Sequence, residues 1–224
     1  MIILVSVLCC FIPLVVFFVC FWILEKEFSP LHGLIAVLLG IVAVIPIAAI
    51  QFFAGGGALF TARTLVSILL SALVVNGLIE EAFKMLLLFA LPAKRTRLKV
   101  FFFYAMLSGF ALGCFESLLY LISGLDSIGL RMVTAVVMHS LCAGLLGLFV
   151  FSVKRRVRSL LPFFMAVVLH GVYNYFAGFG THSLFFYGSI VAILLAAIEC
   201  RVRYIKIRQT LHDIHFSTII PDYR

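Results

Sequence analysis

Charged side chains interrupt parts of this sequence that are otherwise apolar enough to lie in lipid. The run NGLIEEAFKMLLLF carries Glu80, Glu81 and Lys84 among residues typical of a membrane-spanning helix. An ionised side chain near the centre of a bilayer costs about 2.5 kcal/mol or more, so residues of this kind usually serve a function. Two adjacent carboxylates double that cost, and they are therefore the first candidates for chemistry.

Three later apolar stretches contribute further candidates. Glu116 lies in SGFALGCFESLLY, His139 in VVMHSLCAGLLG, and His170 in VVLHGVYNYF, where Asn174 follows one turn later. His170 and Asn174 are four residues apart and therefore share a helix face. Each residue also has a structural interpretation, because a lone Glu or His in a helix bundle can simply hydrogen-bond a neighbouring helix.

Helical spacing predicts how the first three charges are used. Glu80 and Lys84 are four residues apart with the acid first, which is the favourable order for an ion pair. Glu80 and Glu81 point about 100° apart around the helix. We therefore expect one of them to face the site, while the other pairs with Lys84 or orients a neighbour. Lys84 itself is expected to have a structural or electrostatic role.

Carboxylates, imidazoles and an amide together suit the activation of water. A Glu can act as general base, and His and Asn can donate hydrogen bonds to a developing oxyanion. The sequence has no GxSxG context for a nucleophilic serine, and it has no HExxH or ExxH pair for zinc. We therefore expect no metal to be required, with a divalent metal such as zinc as the alternative. In that alternative the ligands come from Glu80, Glu81, Glu116, His139 and His170.

The composition identifies an integral membrane protein. Of the 224 residues, 65% are hydrophobic and 12% are charged, and the mean hydropathy is +1.26. The charged share is about half that of an ordinary soluble domain. The net charge of +8 is explained by basic cytoplasmic loops and not by nucleic-acid binding. The six cysteines form no CxxC pair and are interpreted as small hydrophobic residues.

Seven stretches are long enough to span a bilayer, which takes about 20 apolar residues per helix. The predicted fold is all-α: a polytopic membrane bundle of about seven helices with the active site inside it. Residues 1–200 are expected to form one transmembrane domain with its motif core at about 65–180, and 201–224 a short basic cytoplasmic tail. Residues 54–63 are interpreted as a re-entrant or surface segment. The predicted spans are 2–24, 31–53, 65–91, 100–123, 132–153, 160–180 and 183–200.

Basic residues predict the orientation of these spans. Twelve of the 17 Lys and Arg lie in KRTRLK, KRRVR and RVRYIKIR, which follow the third, fifth and seventh spans. Alternating spans place all three on one side, which is expected to be the cytoplasm, and the N-terminus lies outside. The acidic loop EKEFSP on the same side is a small conflict. At 1.5 Å per residue, Glu116, His139, His170 and Asn174 then lie at a similar depth in the outer half of the membrane. Glu80 and Glu81 are expected nearer the midplane, and this convergence predicts one shared site.

These motifs resemble those of the PrsW family of intramembrane proteases. IEEAFK is similar to that family's EExxK motif, SGFALGCFESLLYLI to its glycine-rich motif ending in Glu, and MHSLCAGLLG and VVLHGVYNYF to its two His segments. The resemblance covers roughly residues 40 to 180, with the four motifs in the family's order. The family is similar in turn to the CAAX prenyl proteases and the bacteriocin-immunity membrane proteases.

The resemblance implies an intramembrane endopeptidase that cleaves a membrane-anchored protein, typically an anti-sigma factor in stress signalling. It implies catalysis by water activation at Glu80 or Glu81, water positioning by Glu116 and His139, and oxyanion stabilisation by His170 and Asn174. The family often has an acid where Asn174 stands, and the amide favours the oxyanion role over metal ligation. The expected partners are this substrate and the lipid bilayer, without nucleic acid.

Two other functions were weighed against proteolysis. A proton-coupled transporter or channel can use the same Glu and His as a relay, but the polar motifs show no inverted repeat between the halves of the chain. A non-catalytic membrane scaffold would leave the shared depth of the polar residues unexplained.

The orientation can be tested with reporter fusions. Reporters fused after Lys99, Arg158 or Arg208 are expected to lie in the cytoplasm, and reporters fused near Asp126 or Gly180 outside it, because the basic connections stay on the cytoplasmic side. Paired phosphatase and fluorescent-protein fusions measure this directly. The opposite result at any two sites would overturn the orientation.

Overall fold

A computed structural model of the chain describes residues 2–54, 64–94, 96–122, 128–157 and 159–219. Over these residues the chain is helical and contains no β-strand. We number the helices in chain order. They are α1 (Ile2–Leu24), α2 (Pro30–Ala54), α3 (Leu65–Leu88), α4 (Leu98–Ile122), α5 (Ile128–Val133), α6 (Ala135–Lys154), α7 (Leu161–Ala177) and α8 (Tyr187–Ile219), with a 3-10 turn at Leu184–Phe186.

The helical membrane bundle predicted from the sequence is confirmed. Five helical segments are long and apolar enough to cross a bilayer, and two shorter apolar helices, Cys10–Leu24 and Leu161–Ala177, accompany them. The fifth predicted span is divided at Thr134 into α5 and α6. The tail does not begin as a separate element, because α8 continues without interruption to Ile219. Most of the expected re-entrant segment, residues 55–63, lies outside the described residues.

Helices α4 and α6 form the centre of the bundle, and small residues let them approach closely. A Cβ added to Gly109 would lie 2.3 Å from the carbonyl oxygen of His139, and one added to Gly113 would lie 2.9 Å from the Cα of Val136. Interfaces of small residues are the usual way for membrane helices to pack. This contact brings the end of α4, which carries Glu116, beside the start of α6, which carries His139.

Helix α3 changes its hydrogen-bonding pattern just before the paired acids. It is α-helical over Leu65–Ser71, π-helical over Ala72–Ile79 and α-helical again from Glu80. The π-helical part packs tightly on α7, since a Cβ on Gly77 would lie 2.6 Å from the carbonyl oxygen of Val167. Glu80 therefore leaves the end of this segment close to α7.

The basic connections contact one another at one end of the bundle. Arg97 forms an ion pair with Glu27 at 2.9 Å, Lys99 pairs with Glu25, and Arg155 donates a hydrogen bond to the carbonyl of Ala93 at 2.9 Å. The hydrogen bond from Lys99 lowers the pKa of Glu25. The acids of the EKEFSP loop therefore have basic partners at this end of the bundle. The side of the membrane that this end faces stays a prediction.

The close contact of α4 with α6 predicts the effect of one added methyl group. Gly109→Ala should lower the unfolding free energy by roughly 1–3 kcal/mol, because the new Cβ would collide with backbone that cannot rotate away. Gly129→Ala on α5 is the control, since nothing lies within 4 Å of its added Cβ. Thermal unfolding in detergent measures both variants. Equal melting temperatures for the two would contradict the packing described here.

Candidate active site

Three side chains from three different helices converge inside the bundle. The Oε2 atom of Glu80 on α3 lies 3.8 Å from Nδ1 of His139 on α6 and 3.8 Å from Nε2 of His170 on α7. The two imidazole rings meet edge to face with centroids 4.8 Å apart. All three side chains are buried. Three of the residues that the sequence predicted to share one site therefore lie together in a compact cluster.

Each imidazole is held from behind by a carboxylate. Nε2 of His139 lies 2.6 Å from Oε2 of Glu116, and Nδ1 of His170 lies 2.5 Å from Oε1 of Glu81. A carboxylate in this position accepts the ring N–H and so fixes the tautomer. The remaining nitrogen of each ring then presents its lone pair toward Glu80. The five side chains therefore form one continuous polar network.

Lys84 is the buried counter-ion of Glu81. The two side chains pair directly at a spacing of three residues, with exposed fractions of 1% and 0%. Spacing favoured Glu80 as the partner of Lys84, but the lysine pairs with Glu81. Glu80 instead faces the imidazoles of His139 and His170 and accepts a hydrogen bond from a side chain on α2. The expectation that one acid faces the site while the other pairs with the lysine and orients a neighbour is met, with Glu81 in the second role.

Glu116 has a second partner that sequence reasoning missed. Arg131 on α5 donates to Oε1 of Glu116 at 3.0 Å, and its guanidinium lies 3.6 Å from the centre of the Tyr120 ring. One signal was available in the sequence, because Tyr120 follows Glu116 by four residues and so lies on the same face of α4.

A cavity of about 190 Å³ opens beside the cluster, between α2 and α4. Glu80 and Glu116 line it, whereas Glu81 lies behind His170 and does not. The rest of the wall is mainly apolar. It consists of Val44, Ile47, Ala48, Gln51, Leu112, Leu119 and Tyr120. Gln51, which donates to Oε1 of Glu80 at 2.9 Å, is a second residue that the sequence did not identify as functional.

Asn174 lies outside this hydrogen-bonded network. It is half-buried on α7, one turn beyond His170, and its side-chain amide has no hydrogen-bond partner among the described residues. The structure thus leaves this amide free to donate. Its role in stabilising an oxyanion stays a prediction.

The cluster fits a metal ion. One ligand atom from each of Glu80, His139 and His170 can be chosen so that all three lie within 4.8 Å of one another. Oε2 of Glu80 and Nδ1 of His139 are buried without a hydrogen-bond partner, as expected of atoms that serve as ligands. Two His and one Glu form a known catalytic zinc set, and carboxylates behind the imidazoles are its usual support. Glu81 and Glu116 fill that supporting position.

The expectation that no metal is required is therefore not supported. It relied on the absence of a motif that places two ligands on one helix. Here each ligand comes from a different helix, so no short motif can contain two of them. A divalent metal, the alternative considered from the sequence, is compatible with the geometry.

Comparison with known protein families agrees with this geometry. A family described as PrsW family intramembrane metalloprotease matches residues 29–198. The match includes α2 to α7, the beginning of α8 and every candidate residue named above. It confirms the resemblance seen in the motifs. No curated protein and no solved structure matches the chain.

The buried pair of Lys84 and Glu81 predicts a specific stability pattern. Lys84→Met should destabilise the protein by roughly 3–5 kcal/mol, because it leaves a buried carboxylate without its cation. The double variant Glu81→Gln with Lys84→Met should recover most of the loss, since no charge is then left unpaired. Lys206→Met, at an exposed position of α8, is the matched control. A double variant no more stable than Lys84→Met in thermal unfolding would argue against this pairing.

Proposed function

The chain belongs to the PrsW family of intramembrane metalloproteases, and from this premise we propose that it hydrolyses a peptide bond of a membrane-anchored protein inside its own helix bundle. Glu80, His139 and His170 would hold a divalent metal such as zinc. One observation carries this proposal. The ligand atoms of the three residues face one another, while a carboxylate supports the far side of each imidazole.

Glu81, Glu116 and Lys84 keep the two imidazoles oriented for metal binding. When bound, a divalent metal supplies Lewis-acid polarisation of a carbonyl or a water molecule. Glu81 and Glu116 hold the ring N–H of His170 and His139, so both rings keep one tautomer and one orientation. Lys84 balances the charge of Glu81, which otherwise would be uncompensated in the bundle. Fixed positions of this kind spare the site reorganisation during reaction.

Glu116 is the proposed proton acceptor for the attacking water. It lines the cavity together with Glu80, and it is partly exposed there. Its two oxygens contact Arg131 and His139, and each oxygen keeps a further lone pair for a water proton. Glu80 would be committed to the metal. In a metal-free mechanism Glu80, whose Oε2 atom has no hydrogen-bond partner, would take the role of base instead.

Asn174 is the proposed donor to the oxyanion that forms at the cleaved carbonyl. Its amide is free among the described residues, and it shares a face of α7 with His170. Both nitrogens of His170 are engaged in the network, so Asn174 is the better donor of the two. Removing one oxyanion donor typically costs a factor of about 10²–10³ in rate.

The substrate is proposed to be a protein with a membrane-spanning segment. The apolar wall of the cavity, which α2 and α4 supply, suits an uncharged stretch of peptide. Anti-sigma factors with a single span are the first candidates, following the family resemblance. The outer half of the membrane is the proposed depth of cleavage.

Cleavage by the purified protein tests this proposal. Single-span anti-sigma-type substrates in liposomes should be cut by the wild type, and the rate should fall in strong chelator and return with zinc. Glu80→Gln and Glu116→Gln should each lose at least about a hundredfold in rate, as expected for a ligand or a general base. Glu80→Gln should also lose its bound metal, whereas Glu116→Gln should weaken metal binding by no more than about 10–100-fold, because Glu116 supports a ligand and is not one itself. Glu199→Gln, an acid that pairs with Arg203 on α8, is the control.

Each contrary outcome has a distinct meaning. Cleavage that persists in chelator would overturn the proposal that a metal is required, and Glu80 would then be the general base. Wild-type rates in both Gln variants would overturn the assigned mechanism altogether. Proton flux across the liposome without any cleavage would favour the transporter.

A further inference from the structure

The side chain of Gln51 on α2 contacts the carboxylate of Glu80. Its Nε2 atom donates to Oε1 of Glu80 at 2.9 Å and lies 3.3 Å from the carbonyl oxygen of Val75. The side-chain oxygen of Asn76 is farther away, at 3.5 Å. An amide nitrogen carries two hydrogens, so the two shorter contacts can be made together. Gln51 therefore ties α2 both to Glu80 and to the backbone before it.

The bond to Gln51 determines which oxygen of Glu80 is used. With Oε1 engaged by the amide, Oε2 is the oxygen that faces His139 and His170 at 3.8 Å each. Oε2 has no hydrogen-bond partner of its own. A carboxylate can otherwise rotate about its last bond, since that torsion is broad. The amide removes this freedom without using the reactive oxygen.

The second contact acts on the backbone. Val75 lies within the π-helical segment Ala72–Ile79, whose hydrogen bonds run from residue i to residue i+5. Glu80 is the first residue after this segment. By holding the Val75 carbonyl, Gln51 also fixes the turn from which Glu80 projects. The Glu80 side chain and the Val75 carbonyl in the segment before it are thus held by one side chain on α2.

We propose that Gln51 is a positioning residue of the catalytic site: it orients the Glu80 carboxylate toward the two imidazoles. This rests on the proposed function, in which Glu80 is a metal ligand. Residues that support ligands in this way typically contribute a factor of about 10–100 to metal affinity or activity. Gln51 also lines the cavity, next to Glu80.

If Gln51 had a purely structural role, its substitution would have a different effect. Hydrogen bonds between membrane helices are worth about 0.6 to 2 kcal/mol, so a bond between α2 and α3 alone would affect stability and leave metal binding unchanged. Gln51→Met separates the two roles, because methionine has nearly the same length and volume but no N–H donor. Gln51→Glu also removes the donor and adds a like charge beside Glu80.

The decisive measurement is zinc affinity of the full-length protein in detergent, determined by competition with a chromophoric chelator. Gln51→Met should raise the dissociation constant roughly 10–100-fold, and Gln51→Glu at least as much. The visible spectrum of bound Co²⁺ should also change in Gln51→Met, because the geometry of one ligand changes. Phe52→Leu is the matched control on the next residue of α2, whose side chain is 81% exposed.

Failure of this inference can be told apart from failure of the proposed function. If the wild type binds zinc and both Gln51 variants bind it within twofold as tightly, Gln51 does not position Glu80. If the wild type cleaves substrate without binding metal, Gln51→Met should still lower kcat 10–100-fold with KM little changed, because Glu80 is then the base; an unchanged kcat would overturn the proposal. A wild type that neither binds zinc nor cleaves any substrate would overturn the proposed function and this role with it.

Discussion

The low dielectric of the bundle interior is the constraint on which the structure depends, because every charge placed there must find a partner. Glu81 meets Lys84 and His170, and Glu116 meets Arg131 and His139. A buried charge left alone is among the most destabilising features a protein can have. The partners come from separate helices, so satisfying the charges also fixes how those helices are arranged. In this member of an intramembrane protease family, the polar network is therefore both the candidate site and a determinant of the fold.

Close helix packing makes this network possible. An imidazole nitrogen and a carboxylate oxygen must approach within about 3 Å to share a proton, which leaves little tolerance in the distance between helix axes. Gly109 and Gly113 allow α4 and α6 to approach this closely, and Gly77 and Gly171 do the same for α3 and α7. Each glycine lies against the backbone of the partner helix. The small residues at these helix contacts thus also set the distances in the site.

The sequence predicts the architecture well because each helix must carry its own apolar length. It also identifies most of the site, since ionised residues are rare in such helices. The sequence is less informative about which charged side chains pair with one another. Spacing favoured Lys84 with Glu80, yet tertiary contacts with α2 and α7 direct Glu80 away and leave Glu81 to the lysine. The sequence does not identify Gln51 and Arg131 as site residues, because a single amide or arginine outside any motif does not show which side chain it will contact. Ligands drawn from three helices leave no motif at all.

The π-helical segment of α3 makes chain length in this region a functional quantity. Each residue added to or removed from a helix turns everything beyond it by about 100° and shifts it by 1.5 Å. Before Glu80, Gly77 is locked against α7; after it, Glu81 and Lys84 are locked inside the bundle. A single insertion within Ala72–Ile79, which is already wound with the wider i→i+5 turns, would force one of these two halves out of register. Lengthening this segment should therefore be tolerated less well than exchanging its apolar side chains.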